Sequence, residues 1–272
     1  MNFYFQWENG AYSHITARAI AGLLWQENPT IEGLKTFEEI WEKIDAGHIG
    51  VLPIENSYAG PIHANLFAFS RHEAAIIGSY DLEVEHCLLS HESDISKIHT
   101  AISHTQALDQ CYHYLKSKNI TPEKFYDTAG AAKHLANEKP LGYASLSSRL
   151  AAEIYGLNIL AEAVQDQAGN TTRFLIVCRK SDIENYNFSQ KVGKVTLLFE
   201  TRNIPASLYK CLGAFATNNV NLTKIENLPS FWKPFRSTFW IDFEGKLEDE
   251  SVQKSLEELK FFSSDIRILW EY

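Results

Sequence analysis

No two of the four cysteines in this 272-residue chain form a C-x-x-C pair; Cys87, Cys111, Cys178 and Cys211 are scattered singly. That argues against structural zinc and against a disulfide framework, and for small buried thiols in a reducing compartment. A basic stripe is absent as well. With 25 Lys and Arg against 34 Asp and Glu, the net charge of −9 opposes nucleic acid or an anionic membrane as partner. An anionic ligand would have to be drawn in by a few local groups. No stretch approaches the roughly 20 apolar residues of a membrane helix. The opening MNFYFQWENG lacks the basic segment and long apolar run of a signal peptide, so a cytoplasmic location is expected. G-x-x-x-x-G-K-[ST], G-x-G-x-x-G and H-E-x-x-H are all missing, and the ten histidines show no ligand spacing. No metal and no organic cofactor is expected.

What is present is ordinary core material, 45% hydrophobic and 22% charged, enough for one large or two modest domains. Short apolar strands alternate with helical patterns to about residue 178. Phe3–Phe5 reads as a strand, and Ser13 then caps a helix with Ile15, Ala19, Leu23 and Leu24 on one face. Thr36-x-x-Glu39 is a capping box ahead of Ile40, Trp41 and Ile44. Val51–Ile54, Ala75–Ile77 and Asp81–Leu89 read as strands. So do Thr100–Ile102, Phe125–Tyr126 and Gly142–Ala144, each followed by a helix opening in Ser103, Asp127-Thr128 or Ser145. The repetition predicts an α/β fold with mainly parallel strands. Ligands of such sheets bind beyond the carboxyl ends of the strands, at helix N-termini. Ser13, Glu55, Asn56, Ser57, Ser103, Asp127, Thr128 and Ser145 all fall at such positions. Residues 181–191, SDIENYNFSQK, are polar and read as a linker. Beyond them the order βαββαβ predicts a ferredoxin-like unit.

The stretch VLPIENSYAG (51–60) raises a sharper question, because an apolar strand runs directly into a carboxylate, an amide and a hydroxyl. Such an end is either a tied-down loop or the rim of a polar pocket. Four stretches resemble one family, the prephenate dehydratases: NGAYSH (9–14), LPIENSYAGPIH (52–63), ISHTQAL (102–108) with DTAGAAKHLA (127–136), and NTTRFLIV (170–177). The segment KVTLLFETRNIPASLYKCLGAFATNNVNLTKIENLP resembles the ACT regulatory domain that follows the catalytic part in that family. The resemblance implies a two-lobed, periplasmic-binding-protein-like catalytic domain over 1–180, with lobe one at 1–80 plus 168–180 and lobe two at 81–167. An ACT domain over 192–272 follows. It implies conversion of prephenate to phenylpyruvate with loss of CO2 and water, on the way to L-phenylalanine. It also implies L-phenylalanine as effector and a homodimer or homotetramer.

Residue by residue, the resemblance places Asn56, Gln106 and Thr172 in catalysis. Asn56 carries an amide that both donates and accepts. Thr172 takes the role of proton donor to the leaving hydroxyl. A threonine is a poor acid, but losing CO2 from the quaternary carbon as hydroxide departs makes an aromatic ring, so the driving force lies in the substrate. General-acid help of about 10²–10⁴-fold then suffices. Arg173 offers a planar fork to a substrate carboxylate, with pairing to an acid such as Glu55 as the alternative. Ser13, Ser57, Ser103 and Thr128 are expected to donate to substrate, although Ser103 and Gln106 equally fit a plain capping box. Glu55, which would repel a dianion, reads as a structural anchor.

The chain departs from the family in places. The usual Gly-Pro-x-Gly is Trp7-Glu8-Asn9-Gly10, putting Trp7 at the cleft rim, and the usual proline after Ser-His is Thr105. In the regulatory half, the effector-binding segments are Ala206-Ser207-Leu208 for Gly-Ala-Leu and Glu226-Asn227-Leu228-Pro229 for Glu-Ser-Arg-Pro. An added methyl at Ala206 and a lost charge at Leu228 predict weakened or retuned feedback by phenylalanine. Two other readings stay open: the same chemistry on arogenate, and a non-catalytic sensor of aromatic acids.

Overall fold

A computed structural model describes residues 2–24, 29–186, 193–229 and 237–271, and the end of the expected linker, 187–191, lies outside the described residues. The first sheet has the strand order Thr30–Leu34, Asn2–Gln6, Ile49–Asn56, Thr171–Arg179, Ala74–Glu83, with Gly60–Pro61 pairing back on Ile49–Asn56. Asn2–Gln6 runs parallel to both its neighbours. The second sheet has the order Asn158–Ala161, Cys87–Ser90, Tyr143–Ser147, Thr100–Ser103, Thr121–Lys124. Here the parallel expectation holds for only half the sheet. Thr100–Ser103 is parallel to both neighbours, whereas Cys87–Ser90 is antiparallel to both of its own. The chain enters this sheet along Cys87–Ser90 and leaves beside it along Asn158–Ala161, so those two strands run opposite ways.

The third sheet is the expected ferredoxin-like unit. Its order is Leu222–Pro229, Ser237–Glu244, Lys194–Thr201, Ser263–Glu271, antiparallel throughout. Alternate residues Val195, Leu197 and Phe199 join Ile241 and Phe243 in a core with Phe215 of helix Ser207–Thr217 and Leu259 of helix Glu250–Phe262. Period-two alternation puts them on one face of the sheet.

The chain packs as two compact units. One comprises the chain up to Ile62 with Ser79–Ile176; the other comprises His63–Gly78 with Val177 onward. This grouping cuts the chain differently from a catalytic part ending at 180. The reason is visible within the second unit. Arg267 donates to the carbonyls of Phe69, His72 and Ala74, and the Phe69 ring meets Trp240 edge-on at 5.4 Å.

Several helix starts differ from expectation. The Thr36–Glu39 capping box is formed, opening helix Phe37–Asp45. Ser13 is not a cap: its helix runs Tyr12–Leu24, and its hydroxyl donates to Gln6 O at 2.7 Å. The face of that helix toward the core carries Ala17, Ile20 and Ala21, and Leu23 is exposed. His104, not Ser103, caps helix Thr105–Gln110, so the Ser103–Gln106 capping box does not exist. Ser148, not Ser145, caps helix Arg149–Tyr155, because the strand continues to Ser147. Asp127 caps helix Thr128–Glu138 as expected, accepting from Gly130 N.

Candidate active site

A cavity of about 430 Å³ lies within the first unit, walled by strand residues of the first sheet and by helix and connecting residues that flank the strands of the second. Asn56, Gln106, Thr172, Ser13 and Thr128 all line it, although they are scattered from residue 13 to residue 172 of the chain. Trp7 lines it too, at φ +79°, a left-handed conformation that a side chain adopts only where the surroundings impose it. Here its N–H donates to Leu34 O.

Asn56 sits where strand Ile49–Asn56 turns back, and its amide is fully engaged. Oδ1 accepts from Tyr58 N at 3.1 Å, Ala59 N at 3.0 Å and Gln106 Nε2 at 3.3 Å. Nδ2 donates to Asn170 Oδ1 at 2.7 Å and to Thr172 Oγ1 at 2.9 Å. Asn56 lines the cavity as expected, with its amide already engaged by these neighbours. Both alternatives for the Asn56 loop are true at once: the amide ties the loop and, from the same position, orients its neighbours.

Thr172 is the consequence. Its oxygen receives a hydrogen bond from Asn56, so the hydroxyl hydrogen is left for the cavity that the residue lines. Gln106 gives one amide hydrogen to Asn56 and also lines the cavity. His104 accepts from Gln106 N through Nδ1 at 3.3 Å, which leaves Nε2 as the position for its hydrogen.

Arg173 is a correction. Its neighbour Thr172 lines the cavity, and successive residues of a strand point to opposite faces. The guanidinium instead makes a bidentate pair with Asp81, Nε to Oδ1 at 2.8 Å and Nη2 to Oδ2 at 2.9 Å. It is not among the cavity-lining residues, and it pairs with an acid, Asp81, as the alternative reading allowed. Ser57 and Ser103 are corrections too. Ser57 Oγ accepts from Thr171 N at 3.0 Å, and Ser103, fully buried, donates to Leu146 O at 2.7 Å. Both fasten backbone and neither lines the cavity.

Among the described lining residues there is no Lys or Arg, and the carboxylate is that of Asp127. Burial pushes the Asp127 carboxyl upward, against the backbone N–H groups of Gly130, Thr128 and Glu8, which favour its charge. Negative charge on a ligand must therefore be met by neutral donors. The first turns of helices Tyr12–Leu24 and Thr128–Glu138 both contribute lining residues, and backbone N–H groups there have no partner within the helix.

Among the wall residues that sequence reasoning missed are Tyr12, His86, Gln110 and Asn170. Asn170 Nδ2 donates to Gln110 Oε1 at 3.1 Å, Gln110 Oε1 lies 3.0 Å from His86 Nε2, and His86 Nδ1 lies 2.7 Å from Tyr12 Oη. No local pattern marks them. Asn170 and Tyr12 stood inside quoted motifs, and that was the available signal.

Residues 3–182 match the family model described as prephenate dehydratase. The chain belongs to the prephenate dehydratase family. It is 36% identical to arogenate dehydratase/prephenate dehydratase 2, chloroplastic, of Arabidopsis thaliana over 98% of this chain and 71% of that protein. Among solved structures it resembles a prephenate dehydratase from Arthrobacter aurescens in complex with L-Phe, at 26% identity and a TM-score of 0.86, covering 100% of this chain and 89% of that one. It also resembles GqqA, described as a novel type of quorum quenching acylase, at 31% identity and a TM-score of 0.84, covering 99% and 96%. The chain is thus a lyase-type dehydratase of the family whose place is phenylalanine biosynthesis. As in that family, the α/β catalytic part precedes a ferredoxin-like C-terminal unit.

The segments that resemble the family's effector-binding motifs lie in the C-terminal unit. Ala206 precedes helix Ser207–Thr217 at φ +57°, where a glycine avoids a steric cost of about 1–2 kcal/mol. Leu208 packs against the core, Asn227 is exposed, and Leu228 is fully buried in the edge strand Leu222–Pro229. Glu226 lies 3.4 Å from His63 and 3.7 Å from Lys224.

Proposed function

We propose that the chain converts prephenate to phenylpyruvate, with Thr172 as hydrogen-bond donor to the departing hydroxyl. The observation that carries this is the polarity of one bond: Asn56 Nδ2 donates to Thr172 Oγ1, so the hydroxyl hydrogen is available in the cavity. As the carboxylate leaves the quaternary carbon as CO2, the bonding pair flows into the ring and expels hydroxide, which takes up a proton to become water. The site has only to hold the ring, exclude bulk water and support the leaving oxygen, and Gln106 is the second neutral donor beside it. Incubating purified protein with prephenate and following phenylpyruvate by ultraviolet absorbance tests the reading directly; absence of turnover sinks it.

A second reading, arogenate as substrate, has its own support. Arogenate carries an ammonium group where prephenate carries a keto group. The described cavity wall contains Asp127 and no cation, a charge balance that suits an ammonium-bearing substrate. Relatives named for arogenate point the same way. Turnover of the two substrates under equal conditions separates the readings. An acylase reaction would need a nucleophile paired with a base, and the cavity's serine, Ser13, donates instead to Gln6 O.

Phenylalanine acting through the C-terminal unit is the proposed regulation, retuned by Ala206 and Leu228. The edge strands Leu222–Pro229 and Ser263–Glu271 offer unpaired backbone groups through which two copies can associate. Titrating activity with phenylalanine tests the effector, since micromolar inhibition is incompatible with weakened feedback. Sedimentation in the same buffer gives the number of chains.

A further inference from the structure

The hydrogen bonds of the cavity wall have a direction that can be followed atom by atom. Backbone N–H groups of Tyr58 and Ala59 both point at Asn56 Oδ1, and a backbone N–H can only donate. Asn56 Nδ2 therefore faces Asn170, which must answer with Oδ1. Asn170 then presents Nδ2 to Gln110, which must answer with Oε1. That oxygen lies 3.0 Å from His86 Nε2, so Nε2 carries a hydrogen. In a neutral ring Nδ1 is then a bare acceptor, and it shares the single Tyr12 hydroxyl hydrogen, from 2.7 Å, with the carbonyl of Glu85, which that hydroxyl meets at 2.8 Å. Burial pushes the His86 imidazole down from its ordinary range, which keeps the ring neutral near pH 7.

The same residues sit where the two sheets of the first unit are joined. Val84 N donates to Asn170 O, Val164 N donates to His86 O, and His86 N donates to Gln165 Oε1. His86 thus occupies one crossover segment and Asn170 the other, with the Gln110 side chain bridging them. If the Gln110–Asn170 pair turned over, Asn170 would press an N–H against Asn56 Nδ2. If Asn56 turned in response, its Oδ1 would take the Thr172 hydrogen and the cavity would lose its donor.

We propose that His86 is a positioning residue of the dehydratase site: as the end donor of this chain it holds Gln110 and Asn170 in the orientation that accepts from the backbone-fixed Asn56 amide, the arrangement that leaves the Thr172 hydroxyl hydrogen to the cavity. The inference rests on the role given to Thr172 above. Two measurements test it on the intact chain. Nitrogen-15 NMR of the imidazoles, with the His86 signal identified by its loss in His86→Gln, is expected to show the Nε2–H tautomer at neutral pH. Kinetics of His86→Leu, which removes the donor, are expected to show kcat about 10- to 100-fold lower with KM within about threefold. His86→Gln keeps an amide hydrogen near Nε2 and is expected to recover most of kcat at a thermal stability matching that of His86→Leu. An Nδ1–H tautomer, an undiminished kcat in His86→Leu, or a His86→Gln no better than His86→Leu each overturns the proposal. The tautomer is read without substrate. A wild-type protein that turned over neither prephenate nor arogenate would therefore refute the functional reading, while the tautomer would still decide the network.

Discussion

Two buried threonines, one in each unit, carry opposite hydrogen bonds. Thr196, 2% exposed in the C-terminal sheet, donates its hydroxyl hydrogen to Asp242 Oδ1 at 2.7 Å, and Trp240 Nε1 donates to the same oxygen at 2.8 Å. Thr172, 9% exposed in the first unit, instead receives a hydrogen from Asn56 Nδ2 at 2.9 Å. A carboxylate accepts only, so it consumes the hydroxyl hydrogen; an amide N–H donates, so it releases that hydrogen. Residue type and burial are nearly the same, and the partner alone decides whether a threonine fastens a sheet or serves a substrate.

The comparison breaks most forcefully at Asn56. Asn56→Asp would give Thr172 the partner that Thr196 has and consume its hydrogen. Both Asn56→Asp and Thr172→Ala are expected to lower kcat by about 10²–10⁴-fold. Thr172→Ser, which keeps the hydroxyl, should retain most of it. Steady-state kinetics on the preferred substrate check all three, and a fully active Thr172→Ala removes the assignment.

Asp242→Ala sharpens the other side. It leaves the Thr196 hydroxyl and the Trp240 N–H without their acceptor, at an expected cost of about 1–3 kcal/mol. Turnover per folded molecule should not change. Chemical denaturation beside an activity assay reads both, and a large loss of kcat with intact stability would erase the contrast between the units.

His14 supplies a graded version of the same logic. Its Nδ1 accepts Gly10 N at 2.9 Å and its ring stacks on Phe5, so the neutral form is the one that fits. Burial, helped by the Arg18 charge, lowers its pKa to about 4. The unfolded chain holds this proton near the ordinary value of about 6.5, so the unfolded state binds it first as the pH falls. The stabilisation is therefore complete above about pH 6.5 and is lost progressively toward pH 4. His86, also pushed down by burial, adds to the loss with the same sign. Melting temperature recorded from pH 7 to pH 5 should fall less steeply in His14→Asn, which keeps an acceptor without the titration.

The smallest effect belongs to Arg173. Its pair with Asp81 is bidentate but partly in water, with side-chain exposures of 33% and 48%. Arg173→Lys breaks the fork and should cost no more than about 1 kcal/mol. A drop in melting temperature as large as that of Asp242→Ala would show that the pair matters more than its exposure allows.

Local rules were read correctly where local chemistry closes on itself. The Thr36–Glu39 capping box and the Asp127 cap both form, because each partner lies three residues away. Ser103 and Ser145 were misplaced because strand ends shift by a residue or more when the sheet extends, and the cap moves with them. Strand Thr30–Leu34 left no signal, since none of its residues is fully buried. Asn56, Gln106 and Thr172 do meet, as the motifs implied. Arg173 could have been withheld from the site on sequence alone, because the strand that turns Thr172 inward must turn its neighbour outward.

The sequence by itself determined the alternation of strands and helices, the ferredoxin-like unit and the family, because apolar periodicity and short motifs are properties of neighbouring residues. Only the tertiary structure decided which way each amide faces and which hydroxyl keeps its hydrogen. Those choices are set jointly by Tyr12, Asn56, His86, Gln110, Asn170 and Thr172, which lie far apart along the chain. A hydrogen bond has a direction that its partner imposes, and the partner is known only once the chain has folded.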